Sequence, residues 1–490
     1  MKKNKFFIPV ILTVGLVLGT ATSCKKSYLD INENPNDPSD VSIVELLPSA
    51  EAAITHVVGN HFQIFGGLWG QYWTQSPASS QYKTIEQYLP GANDFDRPWL
   101  ILYSDALEDL KNIIVKATSE NKPNWIAIAK ILQAYTYQEL TDNFGDVPFT
   151  EAIRAEEGII SPKYDSQELI YDGIIALLEE ADGLIDENSD FYPGPEDLLL
   201  QGDMFLWREF GNTLKLRVYL RMAYVNPTKA MAGIAALEAS GAPFLAEGEN
   251  VQLNYTSNGG NTHPLYSSII GLSSVQNLVA SATGINYMVN NNDPRVDVLY
   301  TPANNGTQVG IAQGDYDVSA STQRSLPSGF TGGDAGDPAS ASAIVRLMTG
   351  YESLFLQSEA VARQWMTGDA QALYVAAITE NFVELGLTDV MATTYFSQPA
   401  IAFPAGGTME QQIEAIITQK WAAMNGTSGT EGWTEWRRTG YPTFFVESAN
   451  SLIGAGRFPN RMLYPFVELT RNGNFPGQKD IFVTVWWDVN

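Results

Sequence analysis

Residues 419–442 read QKWAAMNGTSGTEGWTEWRRTGYP, from Gln419 to Pro442. The run begins inside a helical pattern over 409–425 and ends on adjacent cations, Arg437 and Arg438, in an acidic chain. Successive side chains on a helix or strand point in different directions. The pair therefore reads as one arginine matched to a buried carboxylate, with Trp433, Trp436 and Tyr441 filling the core.

Moving outward, helical periodicity dominates. Tyr351, Leu354, Phe355, Ser358, Val361, Ala362 and Trp365 follow the i, i+3, i+4, i+7 rule. Further stripes predict helices in consecutive pairs: 99–119 with 123–143, 166–187 with 203–225, and 345–366 with 370–386. A paired helix cannot bury its apolar face alone, and stacking pairs solves this. Asp142–Asp146 reads as a helix end turning at Gly145. The interval 241–343 differs, being rich in Gly, Ser, Asn and Asp. Alternation at Val251–Tyr255 and Ile481–Val485 predicts a few short strands. The fold class is mainly α: helix pairs with a loop-rich irregular insertion.

The first residues form a sorting signal. Lys2, Lys3 and Lys5 precede a 13-residue apolar run, Phe6–Leu18, too short to span a membrane. Ala21-Thr22-Ser23 then leads into Cys24, the sole cysteine. Residues 1–23 read as a lipoprotein signal peptide and Cys24 as the lipidated residue, a covalent anchor that needs no spanning helix. Residues 24–40 are a polar tether, and 41–490 a single domain. Losing the signal lysines takes the formal charge from −26 to −29. Such acidity excludes nucleic acid, whose phosphates it repels.

Motifs of catalysis are absent: no HExxH, no GxSxG elbow and no P-loop. His56 and His61 are five apart, which is not the i, i+4 spacing of a helical metal pair. No EF-hand-like spacing appears, so no calcium site or other cofactor is expected.

The segment Gly66–Gln75 gathers Trp69, Gln71, Tyr72, Trp73 and Gln75, with Tyr82 shortly after. Sugar rings lay apolar C–H faces on aromatic rings while their hydroxyls need amide partners, so this cluster is a ligand-binding candidate. It reads equally as a core stripe, because Trp69, Tyr72 and Trp73 stand at i, i+3 and i+4. A second candidate set lies in the loop-rich interval: Asn261, His263 and Tyr287, with Asn258, Tyr266 and Asn286 nearby.

The phrases QKWAAMNG, GWTEWRRTGYP, PNRMLYPFVE (459–468), the closing WWD (486–488) and the upstream LQAYTYQELTDNFGDVPFTEAI (132–153) together resemble the SusD/RagB family of surface lipoproteins. Asn292–Arg295 resembles another recurrent family phrase and reads as structural. The resemblance implies a tetratricopeptide-like helical core. It also implies an outer-membrane, outward-facing binding protein, not an enzyme, that takes an oligosaccharide or other nutrient and acts as a lid on a SusC-like TonB-dependent β-barrel. Calcium binding occurs in parts of that family. On the residues alone, a stand-alone glycan-binding or adhesion protein and a secreted glycoside hydrolase stay open.

Overall fold

Helix boundaries follow local chemistry. The computed structural model describes residues 41–489; the signal segment, Cys24 and the tether lie outside them. Helix α1 is Ile43–Val57; a π-helical turn, Val58–Phe62, joins it to α2, Gln63–Trp69. Strand β1 is Trp73–Gln75. Helix α3, Glu108–Ser119, continues a second π-helical turn, Ile101–Leu107. Helix α4, Pro123–Phe144, starts with proline at its first position, where a missing N–H costs nothing, and stops at Gly145, whose φ is +80°. Ser166 caps α5, Gln167–Leu184, and Asp203 caps α6, Met204–Arg221, each accepting hydrogen bonds from first-turn amides. Helix α7, Pro227–Ser240, follows.

The insertion contributes β2 (Val251–Asn254), β3 (Leu278–Ala280) and α8 (Ala282–Asn290), then leads to β4 (Ile344–Met348). The chain returns to paired helices with α9 (Gly350–Ala362), α10 (Ala370–Glu384), α11 (Met409–Met424, entered through a Thr408–Gln411 capping box) and α12 (Gly429–Thr439). From Ile43 onward the residues form one compact unit.

The fold is mainly helical with few short strands, and neighbours along the chain pack as hairpins: α3 on α4, α4 on α5, α5 on α6, α9 on α10, α11 on α12. Three sequence readings are corrected. Residues 344–348 are a strand rather than the first turn of a helix. Ile481–Val485 is a turn, because no neighbouring strand pairs with it. The insertion is also less loop-like than its composition suggests, since β1 pairs antiparallel with β3 (Trp73 opposite Ala280) and β2 with β4, stitching it to the scaffold at both ends.

The interior of the helical region is charged. Lys420 on α11 donates to Glu431 at 2.7 Å and Glu435 at 3.2 Å. Arg221 on α6 reaches Asp142, Glu431 and Glu435 at 3.2, 2.6 and 2.7 Å. Arg438 pairs with Glu359 and Glu435, as the arginine reading expects. Arg437 instead donates to the carbonyls of Asp142 and Asn460 while lying on the Trp433 ring, and burial lowers its pKa to about 9. Trp433 is fully buried; Trp436 and Tyr441 are half-buried. Asp293 and Arg295 form another fully buried pair at 2.7 Å, which gives that phrase its structural role. Buried charges persist when they are paired and hydrogen-bonded; here only Arg437 Nε, among the side-chain nitrogens of these arginines and Lys420, is left buried without a partner.

Candidate functional site

The rings of Gly66–Gln75 face inward. Trp69, Gln71, Tyr72, Trp73, Gln75 and Tyr82 are all buried, Tyr72 and Trp73 completely. A buried ring offers no face to a sugar, so these residues do not form the ligand platform. Nor do they share one helical stripe: α2 ends at Trp69, Gln71 turns the chain with φ +61°, and Trp73 opens β1. Trp69 packs against Phe65 and Trp433 with centroids near 5 Å. Gln75 accepts from the Tyr82 amide at 2.6 Å.

Tyr287 is placed differently. Thr283, Asn286, Tyr287 and Asn290 fall at i, i+3, i+4 and i+7 of α8, one face of the helix. That face lines a cavity of about 470 Å³, closed on the other side by Phe444 and Val446 of the segment after α12. Phe444, 36% exposed, stacks on Tyr287 with centroids 5.1 Å apart and planes 21° off parallel. The exposed side-chain amides of Asn286 and Asn290 make no hydrogen bond among the described residues. An apolar shelf thus sits beside open amide donors and acceptors.

The shelf is fixed from below. The Tyr287 hydroxyl accepts from Gln419 Nε2 at 2.7 Å, and burial raises its pKa to about 12. Trp421 meets both Tyr287 and Phe444 edge-on, at 5.5 and 5.2 Å, and stacks on Tyr72 at 5.1 Å. Tyr72 donates its hydroxyl to the Trp421 carbonyl, and Trp421 Nε1 donates to the Gly70 carbonyl, both at 2.8 Å. Gln71 is the clamp. Its Nε2 donates to the Val446 carbonyl at 2.7 Å, while its Oε1 accepts from the Val446 amide at 3.1 Å and the Thr283 hydroxyl at 2.9 Å. A non-glycine residue held at positive φ while making three such bonds is ordered by its surroundings.

Asn261 and His263 do not join this shelf. Asn261 is exposed, and its backbone tightens a turn with Thr256 and Asn258. His263 is buried edge-on to Tyr255, and burial followed by the Arg346 charge lowers its pKa to about 3. Phe444, Val446 and Asn290 escaped the sequence reading. The signal for Phe444 was a pair of phenylalanines just past a glycine helix stop, Gly440 at φ +76°.

The comparisons with known proteins agree on one family. The SusD-like family model described as "starch-binding associating with outer membrane" matches residues 35–465. The chain belongs to the SusD-like family. A SusD homologue from Bacteroides uniformis superposes with a TM-score of 0.77 at 23% identity, covering 92% of this chain and all of that one. A chitin-binding SusD homologue from Flavobacterium johnsoniae gives 0.73 at 23% identity, covering 91% and 96%. A Bacteroides vulgatus SusD homologue gives 0.73 at 22%, covering 89% and 92%. These likenesses establish the SusD-like fold. No curated protein sequence matches. No helix among the described residues is long and apolar enough to cross a membrane.

Proposed function

We propose that this SusD-like protein captures a saccharide on the Tyr287–Phe444 shelf and passes it, without breaking a bond, to a SusC-like TonB-dependent transporter for which it serves as lid. The observation that carries the reading is the exposed Phe444 ring, stacked on half-buried Tyr287 beside Asn286 and Asn290. Phe444 supplies a ring face for sugar C–H groups and the amides supply hydroxyl partners. The family's starch-binding, outer-membrane description supports the ligand class and the location. Lipidation at Cys24 would hold the domain at that membrane, and the outward orientation rests on the family resemblance alone.

Calorimetric titration with maltooligosaccharides and chitooligosaccharides tests the shelf. Phe444→Ala is expected to lower affinity per folded molecule by about tenfold or more, as for a stacking hot spot, with at most a modest drop in melting temperature from the lost ring contacts. Equal affinity in the variant would reject the site. Native co-purification from outer membranes tests the partner: a stoichiometric β-barrel is expected, and a protein recovered alone would favour a stand-alone binder. Cys24→Ser is expected to move the protein out of the membrane fraction, and an unchanged fraction would remove the anchor.

A further inference from the structure

A second cavity, of about 350 Å³, opens between the first π-helical turn, the 81–97 segment and the helix around Ser268. Its wall includes His61, Gln81, Thr84, Asp94, Arg97 and Leu272. The π-helical turn explains why a histidine belongs there. In a π-helix the hydrogen bonds run i to i+5, so residues five apart lie on one side, and such turns recur at functional sites. His56 and His61 accordingly have ring centroids 6.3 Å apart.

Several polar groups around this cavity lack partners, and among the described residues Arg97 is the one cation in its wall. His56 Nε2 and His61 Nδ1 are buried without a hydrogen-bond partner, a state native proteins rarely leave unanswered. The Arg97 guanidinium is exposed at the cavity and makes neither ion pair nor hydrogen bond among the described residues, although the chain carries 55 acidic side chains against 29 basic ones. Burial, then the neighbouring His56 and Arg97, push His61 down to about 4. The one acid in the wall, Asp94, accepts the Gly91 amide at 2.8 Å and makes no ion pair with Arg97. The Arg97 guanidinium and the His61 imidazole therefore line one cavity, with His56 just behind His61, and Asp94 pairs with neither.

We infer that this cavity receives a carboxylate-bearing sugar, a uronic acid residue, with its carboxylate on Arg97. Planar guanidinium matches carboxylate geometry with two parallel hydrogen bonds. Gln81 and Thr84 present hydroxyl partners, and Leu272 an apolar surface for the ring. A volume near the lower end of ligand cavities suits a single sugar residue rather than a long chain. The inference rests on the saccharide reading above but on different residues.

The test is calorimetric titration of the intact protein with galacturonate and glucuronate oligosaccharides, their neutral galactose and glucose counterparts, and acetate. The expected result is about tenfold or tighter binding of an acidic oligosaccharide over its neutral counterpart. Arg97→Gln, an exposed substitution with an unchanged melting temperature, should abolish that preference, and Phe444→Ala should keep it. Equal affinity for acidic and neutral sugars, a preference surviving Arg97→Gln, or full competition by acetate at equal concentration would overturn the inference. The shelf fails separately, through neutral-sugar binding that ignores Phe444→Ala.

Discussion

Glu435→Gln should be among the most damaging isosteric substitutions in this protein. The carboxylate is 1% exposed and accepts from Arg221 at 2.7 Å, Lys420 at 3.2 Å, and Arg438 Nε at 2.8 Å. Burial alone would raise its pKa, yet Arg438, Lys420 and Arg221 overcome burial and hold it well below the ordinary value of 4.5. Glutamine keeps the shape and removes the charge, leaving three buried cations to share the remaining acids. Breaking a buried pair by removing one partner costs about 3–5 kcal/mol, a large part of the about 5–15 kcal/mol that holds a typical protein together. A depressed carboxyl contributes stability that is complete above 4.5 and fades as pH falls through the native value. The deficit should therefore be full at neutral pH and narrow in acid. Urea denaturation followed by tryptophan fluorescence measures both, and adding Lys420→Met should recover part of the loss. A loss under about 1 kcal/mol at neutral pH, the range of surface pairs, would refute the reasoning.

Trp73→Ala should cost about 3–5 kcal/mol by opening a cavity in a fully buried site, while saccharide affinity per folded molecule, read by calorimetry, stays unchanged. Gln71→Ala removes three bonds that position Val446 and Thr283, so affinity should fall by about two- to tenfold through lost pre-organisation, with the circular dichroism spectrum preserved. Gly66→Ala would place a Cβ 2.1–2.2 Å from the backbone of Gly429 and Thr430, where α2 crosses α12. Since backbone cannot step aside as a side chain can, overpacking should cost at least about 1–3 kcal/mol, seen as a lowered melting temperature.

The helical scaffold was legible because several long helices show their stripe in one short window, although α6 is buried all round from Glu209 to Arg221. Where the reading erred, the deciding partner was remote. Ile344–Met348 fits the head of a helical pattern and becomes a strand because Val251–Asn254 lies alongside it. Ile481–Val485 alternates just as well but finds no partner strand. Trp69, Tyr72 and Trp73 have the composition of a binding platform, and what buries them includes Trp421 and Trp433, far along the chain. Composition reports ring chemistry but not depth. Phe444 has the opposite history, an unremarked loop residue made useful by Tyr287 beneath it. The five-residue spacing of His56 and His61 reads as unproductive under α-helical geometry and becomes a contact under π-helical geometry.

Three successive side chains of α11 point to three different destinations. Gln419 holds Tyr287 and accepts from Arg295, Lys420 enters the buried charges, and Trp421 carries the rings under the shelf. Everything that fixes the shelf's position is therefore interior, whereas the atoms that would meet a ligand belong to one outward helix face and one short loop. Ligand preference and foldability are thus under separate control in this architecture. Exchanging Asn286, Asn290 and Phe444 should retune what is held while the Gln71 clamp and the rings beneath stay in place.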